Sequence, residues 1–230
     1  ILCADTAIQP LVKHKIVPDG VFIEEAQHVI TKAFIGTTTS KTQIFAGLSS
    51  INQISHFEDK AKLSYYTTEF FEGNFINTLK EKNLLPPSNK PFGSVGLTAV
   101  YYALQFRKND SIPVFIYGLD FSYSAGITHT KGALAHNLRL ASTNRLIPIQ
   151  NYGASFNESS IYVKSKNEKM FYTSPVMLNY SKLFNSFFEN TKNLYDSSDC
   201  GIPLNIPQKK PENTKTEYFS NTSINALYKI

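Results

Sequence analysis

The chain has 230 residues, 42% of them apolar and 13% aromatic, with a formal charge of +5 and a pI near 9.0. These values exclude a disordered polar chain and leave room for one large α/β core with an appendage. No apolar run approaches the roughly 20 residues that cross a bilayer, and the scattered lysines form no compact patch for nucleic acid. In chain order, Ile1 to Ala4 reads as a strand ending at Asp5, and Thr6 to Lys13 as a short helix. The Pro18-Asp19-Gly20 turn leads to a strand at Val21 to Ile23, closed by Glu24 and Glu25. A helical segment is expected over Gln27 to Phe34, a strand over Thr42 to Leu48 followed by Ser49 and Ser50, and a short helix over Ile51 to Phe57. Next come a strand at Lys62 to Tyr66 before Thr67 and Thr68, a helix at Phe75 to Lys82, and a stiff loop at Leu85-Pro86-Pro87.

Pro91 to Tyr123 is the most informative stretch. Ser94 is an N-cap candidate for a helix starting near Val95, and Gly93 and Gly96 leave the first backbone donors uncovered for an anionic group. Val114 to Tyr117 has no polar alternation, as expected of a strand covered on both faces of a parallel sheet. Gly118 and Asp120 then fall where open α/β sheets bind ligands, beyond the carboxyl ends of their strands. Asp5, Glu24 with Glu25, Ser49 with Ser50, Thr67 with Thr68, and Asp120 all follow a strand, so the pattern predicts polar groups gathered on one sheet edge.

Ser122 to Gly132 reads as a polar loop over that edge, Leu134 to Ala141 as a helix, and Leu146 to Gln150 as an edge strand carrying Pro148. Ile161 to Lys164 and Met170 to Thr173 read as a hairpin, and Met177 to Phe188 as an amphipathic helix. The expected fold is α/β, a Rossmann-like, doubly wound, mostly parallel sheet with a small C-terminal α+β extension. Residues 1–150 form the nucleotide-binding domain, truncated at its N-terminus, 151–205 the extension, and 206–230 a linker or flexible tail. Cys3 and Cys200 have no metal-ligand spacing, which points to a reduced cytoplasmic setting.

Several segments resemble the bacterial motility-accessory-factor glycosyltransferases, which share a domain with 6-hydroxymethylpterin diphosphokinase-like proteins. They are Ala4 to Asp19, Gly93 to Leu104, Val114 to Tyr123, Thr128 to Gly132, Thr173 to Pro175 and Asn193 to Leu204. The turn into the helix and the strand ending at Gly118 to Phe121 are also similar to bacterial sialyltransferases. The resemblance implies that Gly93, Ser94 and Val95 contact the nucleotide of a CMP-sugar, with Asp5 and Asp120 in the same nucleotide site and Tyr123 near the phosphate. It implies transfer of an acidic nine-carbon sugar to a protein hydroxyl, such as a flagellin Ser or Thr, with a histidine as the base; His129, in the polar loop, is the candidate and His136 its rival. His14, His28 and His56 read as ordinary. These families carry a Gly-Pro-Ser-Leu loop upstream of the strand at Ile1, and this chain starts after that point.

Two alternatives accompany this reading. The transferase needs no cofactor, whereas a diphosphokinase would use Mg²⁺-ATP, with Asp5 and Asp19 as the metal carboxylates by resemblance to thiamine-type pyrophosphokinases. The other alternative is a non-catalytic scaffold of the same fold. No nucleic acid or membrane span is expected among its partners.

Overall fold

The computed structural model describes residues 1–37, 42–57, 62–70, 73–149 and 159–212. The chain divides into two compact units, one built on Ile1–Tyr102 and the other on residues from Ala103 onward.

The first unit is a five-stranded parallel sheet. Strands β1 (Leu2–Ala4), β2 (Gly20–Ile23), β3 (Gln43–Gly47), β4 (Lys62–Thr68) and β5 (Ser88–Asn89) lie side by side in chain order. Every neighbouring pair is parallel, with Leu2 opposite Gly20 and Gly20 opposite Gln43. Parallel neighbours require crossovers. Short helical segments supply them: α1 (Ile8–Lys13), 3₁₀ turns at His28–Phe34 and Asn52–Phe57, and α2 (Asn74–Glu81).

The two inner strands have no polar alternation because both of their faces are covered. Val21, Phe22 and Ile23 of β2 and Ile44, Phe45 and Ala46 of β3 are fully buried. On one face Phe22 stacks on Phe45, with ring centroids 4.7 Å apart, and on Tyr102 at 5.4 Å, while Tyr66 closes the group at 5.3 Å from Tyr102. Tyr102 comes from α3 (Val95–Gln105), whose first eight residues belong to this unit. Leu97 and Val100 are buried beside it. Aromatic burial of this kind contributes about 2–3 kcal/mol per ring.

The second unit starts within α3 and contains a two-stranded parallel sheet, β6 (Val114–Ile116) with β9 (Leu194–Asp196). It also holds α4 (Leu134–Ser142), the antiparallel hairpin β7 (Ile161–Lys164) with β8 (Met170–Thr173), and α5 (Pro175–Phe188). The hairpin and α5 occupy the segments expected of them. Pro175 stands at the first position of α5, and the Ser174 hydroxyl accepts from the Met177 N–H, a cap that starts the helix where its apolar stripe begins. Phe184 and Phe188 of that stripe are buried.

Three expectations differ from the structure. The edge strand expected at Leu146 to Gln150 is a turn over the described residues, with Gln150 lying outside them. The Asn144 side chain accepts from the N–H groups of Leu146 and Ile147, and Asn144 and Ile147 exchange backbone bonds, so a local Asx turn replaces strand pairing. β4 runs two residues further, through Thr67 and Thr68, because β5 pairs with it there. The start of the expected tail is tied down: Asp196 N–H donates to Pro207 O, Lys209 N–H to Asp196 O, and Leu204 and Ile206 are buried. Residues 213–230 lie outside the described chain.

Candidate functional site

Two carboxyl-terminal sheet edges carry the chemistry-bearing residues, one in each unit. In the first, Gly93 has φ 77°, a left-handed conformation that glycine adopts without strain, and it turns the chain into α3. Ser94 then caps the helix, its Oγ accepting from Gly96 N–H at 3.3 Å and its carbonyl accepting from Leu97 and Thr98 N–H at 3.0 and 3.1 Å. The Val95 N–H lies ahead of these bonds and makes none to the described residues. Gly93 is exposed, and Ser94 and Val95 are half-buried, so the turn presents backbone donors to solvent at the positive end of the helix.

The neighbouring charge at this edge is negative. Glu24 follows β2, and its Oε1 accepts from the hydroxyls of Thr98 at 3.0 Å and Thr68 at 3.3 Å. Thr98 lies in the first turns of α3, so one carboxylate joins β2, β4 and the helix. Asp5, which follows β1, is 3% exposed, and its Oδ1 accepts from Thr6 N–H. Burial pushes the Asp5 carboxyl up to about 7, against the pull of the Thr6 bond, and Glu25 and Glu24 raise it further. Asp5, Glu24 and Thr68 thus meet the expectation of polar groups gathered at strand ends. Ser49 and Ser50 serve a turn instead, with Ser50 N–H donating to Gly47 O.

Asp19 stands elsewhere. Gly20 is opposite Leu2 in the β1–β2 register, so Asp19 precedes its strand whereas Asp5 follows its own. The four residue steps between these levels separate them by about 13 Å along the strands, too far for one ion to bridge. Asp19 is exposed and pairs with the amino group of Ile1. Among the described residues no group of three His, Cys, Asp or Glu side chains has the geometry to hold a metal ion. The Asp5 and Asp19 donor set therefore does not fit Mg²⁺.

In the second unit, the edge is formed by residues after β6 and after β9. Gly118 N–H donates to Ser198 Oγ at 2.9 Å, Ile202 N–H donates to Asp120 O at 2.8 Å, and Ser198 N–H donates to Asp196 Oδ1 at 3.0 Å. Gly201, at φ 95°, packs against Asp120 so closely that a Cβ there would lie 2.6 Å from Asp120 Cα. Asp120 Oδ2 accepts from the Cys200 thiol at 3.7 Å, while its Oδ1 is buried without a hydrogen-bond partner among the described residues. Burial raises the Asp120 carboxyl, and nearby Lys166 lowers it. Lys166 and Asp196 form an ion pair with side chains 5% and 2% exposed.

The remaining candidates belong to this unit too. His129 is half-buried, its Nδ1 shares a hydrogen bond of 3.1 Å with the Thr128 hydroxyl, and Arg139 bonds that same hydroxyl. Burial and the Arg139 charge hold the imidazole below its usual range, so it is neutral at pH 7 and able to accept a proton. His136 is buried, and its Nδ1 accepts from Gly132 N–H at 3.3 Å, a bond that fastens the turn before α4. Tyr123 is buried, pairs through its backbone with Tyr172, and bonds Ser160 through its hydroxyl at 3.1 Å. Cys3 and Cys200 are free thiols, and burial pushes Cys3 up to about 12.

Thr98, Lys166 and Asp196 are the site residues that sequence reasoning did not single out for binding. Asp196 does follow the same signal as Asp5, polar residues after an apolar strand, but Leu194–Asp196 is too short to stand out by periodicity. Lys166 gives no signal: it sits among Lys164, Asn167, Glu168 and Lys169, a composition that reads as a solvated turn.

The family model described as 6-hydroxymethylpterin diphosphokinase MptE-like matches residues 1–126. An uncharacterized protein of Treponema pallidum (strain Nichols) is 31% identical over 204 residues, which is 89% of this chain and 35% of that one. The solved structure of the MAf glycosyltransferase from Magnetospirillum magneticum AMB-1 superposes with a TM-score of 0.60 at 12% identity, covering 99% of this chain and 32% of that one. The chain therefore spans about a third of the length of either protein. Among the described residues no helix is long and apolar enough to cross a membrane. With its parallel sheet, Rossmann-like α/β fold and a family model covering more than half of its length, this chain belongs to the 6-hydroxymethylpterin diphosphokinase MptE-like family.

Proposed function

We propose that the chain forms part of a nucleotide-sugar-dependent glycosyltransferase of the motility-accessory-factor type. In this reading an acidic nine-carbon sugar passes from a CMP-sugar to a protein hydroxyl, with a flagellin-like protein as acceptor, and no cofactor takes part. The observation that carries it is the open turn at Gly93, Ser94 and Val95, where a capped helix end presents backbone donors beside the carboxyl edge of a parallel sheet. The fold likeness to a MAf glycosyltransferase over nearly the whole chain supports the same class.

Gly93, Ser94 and Val95 hold the nucleotide in this reading, with Asp5 of the same unit accepting hydrogen bonds from its hydroxyl or amine groups; in the second unit Asp120 is taken by itself as a donor-binding carboxyl. The buried Tyr123 supports the loop after Asp120 rather than touching phosphate, a role consistent with its bond to Ser160. As the new bond forms between the acceptor oxygen and the anomeric carbon, the bond from that carbon to the phosphate oxygen breaks and CMP leaves. His129, neutral at pH 7, takes the acceptor proton. A cytoplasmic location suits a soluble donor of this kind.

Calorimetry tests the reading: the chain should bind CMP or a CMP-linked acidic sugar, and Ser94→Tyr should abolish that binding by filling the helix end. Failure of CMP to bind, or unchanged affinity in the variant, removes the turn from the donor site. The family's diphosphokinase description keeps a second reading in view. AMP release from Mg-ATP with a hydroxymethylpterin would favour it, although Asp5 and Asp19 are not its metal ligands. A chain that binds neither nucleotide would favour a scaffold.

A further inference from the structure

The second unit contains a buried charge group that the transferase chemistry leaves unused. Lys166 lies in the turn between β7 and β8, and its N–H donates to Gly201 O at 3.1 Å. Its ammonium enters the interior and pairs with Asp196, the last residue of β9. Asp120, four residues beyond β6, feels that same ammonium and is tied to the loop after β9 by Ile202 N–H and by its contact with Gly201. Three segments distant in sequence therefore share one buried positive charge. Three buried oxygens in this region, Asp120 Oδ1, Ser165 Oγ and Asp196 Oδ2, and the Lys166 Nζ have no hydrogen-bond partner among the described residues; Lys166 Nζ and Asp196 Oδ2 meet as an ion pair.

We propose that Lys166 is the positioning residue of this edge: its buried ammonium, anchored by Asp196, holds the Asp120 carboxyl and the turn of residues 118–121 in place. The ammonium has three donors, and the pair with Asp196 leaves others to reach the partnerless oxygens of Asp120 and Ser165 through a bridging water. Two carboxylates against one ammonium make the arrangement sensitive to its removal, since an uncompensated buried charge costs far more than a missing neutral contact. The groups facing Asp120 are Lys166, the Cys200 thiol and Asp196, with Asp199 acting on Cys200. That positioning Asp120 serves a ligand rests on the transferase reading; the anchoring itself does not.

The test uses the full chain and Lys166→Met. Without the ammonium, the Asp120 carboxyl moves further above its unfolded value. A folded-state value raised in this way leaves stability intact at low pH and removes it as pH rises toward that value. The variant should therefore unfold about 10 °C below the parent at pH 8 and much closer to it at pH 5. Asp5 titrates in both proteins, so its contribution cancels in the difference. Lys166→Met/Asp196→Asn, which keeps an acceptor for Ser198 N–H, should recover at least half of the loss. A loss equal at both pH values, or a double variant no more stable than the single one, overturns the anchoring. For the folded variants, CMP affinity at least about tenfold weaker supports the positioning role, and unchanged affinity overturns it. A parent chain that binds no CMP defeats the transferase reading alone, because the pH-dependent unfolding still judges the anchor.

Discussion

The two sheet edges meet the same physical problem in opposite ways. Each places carboxyl groups at the ends of parallel strands, where burial disfavours the charged form. In the first unit no cation among the described residues answers Asp5, which lies within reach of the Glu24 and Glu25 charges, and its carboxyl rises to about 7. In the second, Lys166 enters the interior beside Asp196 and Asp120 and supplies the missing charge. One edge thus leaves its carboxyl to a proton, and the other sets a lysine against its carboxylates. The first holds a buried carboxyl raised toward neutral pH, and the second a buried ion pair. A titratable edge next to the open turn at Ser94 suits reversible contact with a ligand, whereas a fixed pair suits holding a loop.

The comparison can be broken first at Gly201. Gly201→Ala places a Cβ against the Asp120 backbone at a left-handed φ, and the expected loss is about 4 kcal/mol by denaturant unfolding. A loss under about 1 kcal/mol would mean that this edge is looser than its packing implies. Asp5→Asn sharpens the contrast from the other side. The folded Asp5 value lies above the ordinary 3.8, so its ionisation penalty is absent at pH 4 and grows as pH rises to about 7. The variant keeps the acceptor for Thr6 N–H and should be about 3 kcal/mol more stable than the parent at pH 8, with little difference at pH 4. Equal stability at both pH values would remove the proton from the account. The smallest effect belongs to Thr98→Val, which deletes one of the hydroxyls on Glu24 and should cost about 1 kcal/mol in thermal or chemical unfolding. A neutral outcome there would leave Thr68 and Tyr66 as sufficient partners for the carboxylate.

Much of the fold was legible because local signals suffice for it. Ser94 between two glycines marks the start of α3, the apolar run at Val21 to Ile23 marks a covered strand, and the paired segments around 161–173 mark a hairpin. Val114 to Tyr117, expected to be covered on both faces, forms a strand only to Ile116, with Val114 and Phe115 half-buried and Tyr117 exposed, because its sheet has just two strands. Leu146 to Ile149 misled because an apolar run beside Pro148 reads as a strand, while the Asn144 side chain makes a turn there. The strand Leu194–Asp196 is short, and its identity depends on pairing with β6, nearly eighty residues away.

The site divides along the same line. Residues such as Asp5, Glu24 and Asp120 are placed by their position after a strand, a one-dimensional property, and the amino-acid sequence by itself determined which sheet ends would be polar. Only the tertiary structure decided how each charge is balanced. Nothing in the order of residues brings Lys166 beneath Asp196, or separates Asp19 from Asp5 across the length of a strand. Strand register and long-range burial set both distances, and a carboxyl group's charge depends on those distances rather than on its neighbours in the chain.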